Sequence, residues 1–182
     1  RNADALEALA QSIRDEGNQA RAFPGDARDE AAMIALFDQV EAKVGPVEVA
    51  VFNIGANVNF PIGETTVRVF TKVWEMACLG GFLMGREAAK RMAPRGRGTI
   101  IFTGATASLR GGSGFAAFSG AKGALRMLAQ SMARELGPQG IHVAHTVIDG
   151  AIDTDFIKGR HPDFDNAKAQ DLNLNPDAIA AN

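Results

Sequence analysis

Apolar residues recur along this chain first at helical spacing, then in strand-length runs, then at helical spacing again, and that alternation predicts most of the elements. Leu6, Leu9, Ala10 and Ile13 follow Asn2, an N-cap residue type, and stop before Gly17, which predicts a surface helix over residues 2 to 16. Gln19 to Phe23 predicts a short strand closed by Pro24-Gly25-Asp26. Asp29 then caps a second amphipathic run, with Met33, Leu36, Phe37 and Val40 on one face, that ends near Gly45-Pro46. Val47 to Phe52 is an apolar run of strand length, the pattern of a parallel strand covered on both faces by helices. After a loop at Asn53-Ile54-Gly55-Ala56-Asn57, Thr66 to Met92 reads as one long helix. Pro94-Arg95-Gly96-Arg97-Gly98 breaks it before a strand over Thr99 to Thr103. A glycine-rich loop leads into a helix from about Phe118 to Leu136; Gly137-Pro138-Gln139-Gly140 ends it, and Ile141 to Val147 supplies a further strand.

Strands alternating with helices in this way imply right-handed crossovers and an α/β fold, a doubly wound parallel sheet of Rossmann type. At 182 residues with 46% hydrophobic content, one domain over residues 1 to 182 with a substantial core is expected. Beyond Asp149 the chain turns polar and rich in turn residues, so 151 to 175 reads as a mobile flap over the substrate lobe. Trp74, Met76, Phe82, Leu83 and Met84 on the long helix have the spacing of core or subunit packing. His142 and His145 are expected to share one face of their strand, with no function assigned to the pair.

Charge narrows the function classes. Nineteen Lys and Arg against 21 Asp and Glu, without a single-sign block, leave no electrostatic footprint for a nucleic-acid backbone. No stretch approaches the ~20 apolar residues of a membrane span, and no basic-then-apolar leader opens the chain. The lone Cys78 cannot close an intrachain disulfide, and three scattered histidines make no metal cluster. A cytoplasmic setting and a small-molecule substrate are therefore expected. The chain opens at Arg1 without an initiator methionine and inside a helix signal, which reads as the interior of a longer protein.

The motifs carry the chemistry. Phe118 precedes Lys122 by four residues in Phe115-Ala116-Ala117-Phe118-Ser119-Gly120-Ala121-Lys122-Gly123. The segment resembles the Tyr-x-x-x-Lys element of the short-chain dehydrogenase/reductase family, with phenylalanine in the tyrosine's place. Other landmarks follow in the family's order. Asp26 with Ala27 is similar to the Asp-Val that contacts adenine, although a helix-leading turn aspartate would look the same. Phe52-Asn53-Ile54-Gly55 stands where the family has Asn-Asn-Ala-Gly, and Gly55 would let backbone approach a nucleotide or simply serve a turn. Asp149-Gly150-Ala151-Ile152-Asp153-Thr154 resembles Pro-Gly-x-Ile-x-Thr, in which the isoleucine backbone and threonine hydroxyl hold the nicotinamide carboxamide.

The resemblance implies an NAD(P)-dependent oxidoreductase acting on a carbonyl/alcohol pair or an enoyl group, in a homodimer or homotetramer. In that family the tyrosine donates a proton as hydride arrives, while the lysine lowers its pKa and binds ribose. Lys122 keeps the second role, and Phe118 has no hydroxyl for the first. By the same correspondence the carbonyl-binding serine falls at Ala105 and the supporting asparagine at Ala77, so three of the four catalytic positions are apolar. Thr106, Ser108, Ser113 and Ser119 are the hydroxyls left near the site, each of which also suits an ordinary loop or cap role. The family's first strand and glycine-rich pyrophosphate turn are expected ahead of Arg1, and a last strand beyond Asn182. Arg1 would end the second strand, where an arginine favours the 2′-phosphate of NADP over NAD, unless it simply leads the helix. A non-catalytic nucleotide-binding relative, acting as a sensor or an inactive subunit, is the alternative these apolar positions support.

Overall fold

The computed structural model describes residues 2–154, 158 and 173–181. Helix α1 runs over Ala3–Asp15 and α2 over Glu30–Lys43. The Asn2 side chain accepts from the Ala5 amide at 3.1 Å, and the Asp29 side chain from the Ala32 amide at 3.0 Å. Both caps satisfy donors that the first helical turn leaves without partners. Residues 19 to 23 form no strand, contrary to the sequence expectation, because no described strand lies beside them to complete a ladder. The Arg14 guanidinium instead donates to the Ala20 carbonyl at 2.9 Å.

Three parallel strands make the main sheet: β1 (Val49–Phe52), β2 (Gly98–Ala105) and β3 (Ile141–Ile148), side by side in that order. Helices α3 (Val67–Trp74) and α4 (Gly80–Met92) connect β1 to β2, and α5 (Ala116–Leu136) connects β2 to β3. Between α3 and α4 the expected long helix continues through a π-helical turn, Glu75–Leu79, that holds Ala77 and Cys78. Beyond the sheet, β4 (Ala151–Ile152) pairs with β5 (Asn173–Leu174), followed by α6 (Pro176–Ala180). This small parallel ladder ties together the two ends of the expected flap, whose residues 155–157 and 159–172 lie outside the described residues.

Successive right-handed crossovers in one direction stack their helices on one face of a sheet. That face carries Phe52, Ile100 and Phe102 against Leu83, Met92 and Leu125, and the Phe52 and Phe102 rings meet at 6.4 Å between centroids. Full burial of side chains this size contributes roughly 1.5–3 kcal/mol each. Helix α4 packs close because it lacks side chains where α5 and the sheet approach. A Cβ on Gly81 would lie 2.5 Å from Leu125 Cδ1, and one on Gly85 2.9 Å from Phe102. Helices α4 and α5 cross on one side of the sheet, and Val49 and Val51, on the opposite side of β1, are each 56% exposed. The histidine expectation is corrected. Strand positions three apart point to opposite faces; His142 is exposed, whereas both His145 ring nitrogens are buried. Leu83 and Met84 join the core, while Trp74 and Phe82 remain 40% exposed.

Candidate active site

Parallel strands of equal phase deliver their carboxyl ends to one crevice, the usual ligand position in such sheets. Here β2 and β3 run in register from Gly98 opposite Ile141 to Ala105 opposite Ile148. The next residue of each strand, Thr106 and Asp149, therefore emerges side by side, and the Thr106 hydroxyl donates to Asp149 Oδ1. These two, with Ala105, Arg110, Phe118 and Asn57, line a cavity of about 280 Å³.

Helix α5 carries Phe118 into the cavity wall and Lys122 one turn behind it. Lys122 is 4% exposed. Its Nζ donates to the Thr103 carbonyl at 2.8 Å and lies 6.0 Å from the Phe118 ring centroid. Burial pushes the ammonium's pKa down from 10.5 to about 8. Because the folded value lies below the unfolded one, the unfolded chain binds more protons between about pH 8 and 10.5, and stability from this group rises with pH across that window. The full span corresponds to about 3 kcal/mol. Lys122→Met should remove this slope and gain stability below pH 8; urea denaturation of both proteins at pH 7.5 and 10 checks it, and parallel curves would refute the burial cost.

The remaining expected positions separate into groups. Ala105 is in the same cavity as Phe118, but Ala77 is not: it is fully buried with Val73, Ala117 and Ala121, where a methyl group fits an apolar cluster. Asp26 and Ala27 line a second cavity of about 250 Å³ with Ile54, Met76 and Arg28. Arg28 holds the Asp26 carboxylate at 2.6 Å. Asn53 and Gly55 are exposed on the loop after β1, which contributes Ile54 to one cavity and Asn57 to the other. Gly55 has no left-handed backbone, and a Cβ there would meet nothing within 4 Å, so neither the turn nor protein packing demands glycine. Ile152 is paired with Leu174 in the β4–β5 ladder, and the Thr154 hydroxyl lies 3.5 Å from the Ile152 carbonyl. Arg1 lies outside the described residues. Asn57, Arg110 and the Thr106–Asp149 pairing were missed in the sequence as site features. The sequence carries no signal for that pairing, because it follows from the register of β2 against β3.

Among the described residues no helix is long and apolar enough to cross a membrane. Comparison with known proteins gives a consistent picture. A solved short-chain dehydrogenase from Rhodopseudomonas palustris is 51% identical, with a TM-score of 0.78 over 89% of this chain and 78% of its own. A gluconate 5-dehydrogenase from Burkholderia cenocepacia J2315, solved with NADP and tartrate, is 26% identical, with a TM-score of 0.83 over 90% of this chain and 65% of its own. These likenesses place the sheet and its helices in the Rossmann-type α/β class. Among curated relatives, the short-chain dehydrogenase/reductase eriH of Hericium erinaceus is 32% identical over 97% of this chain, which spans 72% of that relative. The cis-4-hydroxycyclohexanecarboxylate dehydrogenase of Sinomonas cyclohexanicum is 30% identical over 86% of this chain, which spans 63% of that relative. With the sequence profile described as short chain dehydrogenase matching residues 1–164, the order of strand ends, the lysine one turn after Phe118 on α5 and the alignments agree that this chain belongs to the short-chain dehydrogenase/reductase family.

Proposed function

We propose that the protein is an NAD(P)-dependent oxidoreductase that interconverts an alcohol and a carbonyl, with its proton chemistry supplied by groups other than residue 118. The observation that carries this reading is the pair of cavities on the two flanks of the loop after β1, one lined by Ala105 and Phe118, with Lys122 buried one turn behind Phe118, and one lined by Asp26 and Ala27. A dinucleotide has two ends and a connecting pyrophosphate, and Gly55 on that loop leaves room that the protein itself does not use. Lys122 suits the ribose near the reacting end, Asp26 and Ala27 the adenine end, and Ile152 with Thr154 the nicotinamide carboxamide. The nucleotide supplies the hydride chemistry when bound. NADP is the preferred form and NAD the second.

Arg110 in the cavity wall has no side-chain ion pair among the described residues, so an anionic group on the substrate fits there. The relatives named for gluconate and for a hydroxycyclohexanecarboxylate support a hydroxy acid or its keto form. The enoyl alternative has no comparable support among the lining residues. Val67 at 83% exposure, with Phe70, Trp74 and Phe82 on the same helical stretch, supports packing against a second copy in a homodimer or homotetramer. A cytoplasmic location is part of the same proposal, as is the assignment of residues 151–175 to the substrate lobe.

Titration of the native protein with NADPH and NADH, followed by turnover assays in both directions on hydroxy acids, keto acids, neutral ketones and enoyl-thioesters, tests the reading. Micromolar nucleotide binding with turnover of a hydroxy/keto acid pair is expected. Binding without turnover would favour the second reading, a nucleotide-binding relative acting as sensor or inactive subunit, which the apolar Phe118, Ala105 and Ala77 support. Absence of both would sink the proposal.

A further inference from the structure

We propose that Thr106 and Asp149 form the hydroxyl–carboxylate pair that handles the substrate's proton in place of the groups absent at Ala105 and Phe118. This rests on the oxidoreductase reading above. Three observations converge. The strand register sets the two residues next to each other at the carboxyl end of β2 and β3. The Thr106 hydroxyl hydrogen is directed to Asp149 Oδ1. Both residues line the cavity that also holds the Phe118 ring, so the pair opens onto the same space as the position from which a phenol is absent.

A threonine hydroxyl has one hydrogen and two acceptor lone pairs. With its hydrogen committed to Asp149, Thr106 presents only acceptor capacity to the cavity, which suits a hydroxyl donor rather than a carbonyl. The chemistry that follows is alcohol oxidation. Thr106 Oγ accepts the substrate's hydroxyl proton as its own proton passes to Asp149 Oδ1, which leaves a neutral carboxyl. The carbinol C–H bond breaks, and its hydrogen leaves with the electron pair to the oxidised nicotinamide nucleotide while the C=O double bond forms. Asp149 then returns its proton to water through the open cavity. Reduction by the same pair needs Asp149 to be protonated first. The site is therefore built for hydroxyl substrates, with Thr106 in contact with the reacting oxygen and Asp149 acting through it as a positioning residue and proton acceptor.

Four variants of the native protein test the assignment: Thr106→Val, Thr106→Ser, Asp149→Asn and the unrelated cavity change Asn57→Ala. The alcohol substrate is the one identified by the hydroxy-acid assays. Thr106→Val and Asp149→Asn are expected to lower kcat for alcohol oxidation by ~10²-fold or more, the range for loss of a positioned acid or base, while NADPH titrations stay as in the unmodified protein. Thr106→Ser should recover most of the rate. Affinity of the alcohol for the NADPH-loaded protein, an unreactive complex read by nucleotide fluorescence, should fall about tenfold for Thr106→Val and be kept by Thr106→Ser, because a hydrogen-bond acceptor worth about 1–1.5 kcal/mol is lost and regained. Equal kcat for Thr106→Val and the unmodified protein would overturn the proposal while leaving the oxidoreductase reading intact. A loss for Asn57→Ala as large as that for Thr106→Val, with no recovery by Thr106→Ser, would also overturn it, as a sign of general cavity damage. An unmodified protein that reduces a keto acid but oxidises no alcohol would overturn the assignment of the pair alone, and one that does neither and binds no nucleotide would overturn both readings.

Discussion

Ala105→Ser combined with Phe118→Tyr is expected to raise the rate of NADPH-dependent carbonyl reduction by ~10²-fold or more, the lower range for a positioned proton donor. Phe118 already stands in the cavity wall, and Lys122 Nζ already lies 6.0 Å from its ring centroid. A phenol there would sit beside a cation that favours its ionised form and sharpens it as an acid. Ala105 is in the same wall, so a serine hydroxyl can meet the carbonyl oxygen as charge develops on it. The gain should be direction-dependent. Thr106 has its hydrogen committed to Asp149 and cannot readily protonate a ketone, so on the proposed proton pair reduction is expected to be the slow direction in the unmodified protein. Oxidation should change far less. Steady-state rates in both directions, with nucleotide affinity as a control, check the prediction; an unchanged reduction rate would mean that the tyrosine position does not face the reacting carbon.

Replacement of Glu87 by alanine is expected to cost about 3–5 kcal/mol of stability, the usual loss when one partner of a buried ion pair is removed. Glu87 is 2% exposed on α4. It accepts from Arg86 Nε at 3.1 Å, Lys90 Nζ at 3.0 Å and Arg91 Nη1 at 2.8 Å. Arg91 and Arg86 pass the network on to Asp38 and Glu30 of α2, so the glutamate anchors the contact between the two helices. Burial alone would raise the carboxyl pKa, but the hydrogen bonds from Arg91, Lys90 and Arg86 outweigh it and hold the folded value below the ordinary one. A depressed acid pKa adds stability that is complete above the unfolded value and is lost as pH falls through the folded one. The Glu87→Ala penalty should therefore be full at pH 7 and shrink below about pH 4.5. Denaturant titrations at pH 7 and pH 3.5 measure it; a penalty below about 1 kcal/mol at pH 7 would show that the surrounding cations find other partners or solvent.

The helix boundaries were legible because their causes are local. Asn2, Asp29 and Thr66 each accept from an amide three residues on, a contact that any window of four residues contains. The family was legible for the same reason: the spacing of Phe118 and Lys122 on α5 and the residues after β1 and β3 are short motifs in a fixed order. So was the apolar character of Ala105 and Phe118. The strand predicted at residues 19 to 23 failed because apolar alternation reports a strand's faces and says nothing of its edges, and a ladder needs a neighbour.

Local sequence thus suffices for the helix caps, the alternation of helix and strand, and the family motifs in their order. That Ala77 sits in an apolar cluster outside the cavity and that Thr106 meets Asp149 depend instead on how distant segments pack. The last pair lies 43 residues apart in the chain and is joined by the parallel register of β2 and β3. Register is a property of two segments held together by a whole helix crossover, and no local pattern in either segment encodes it.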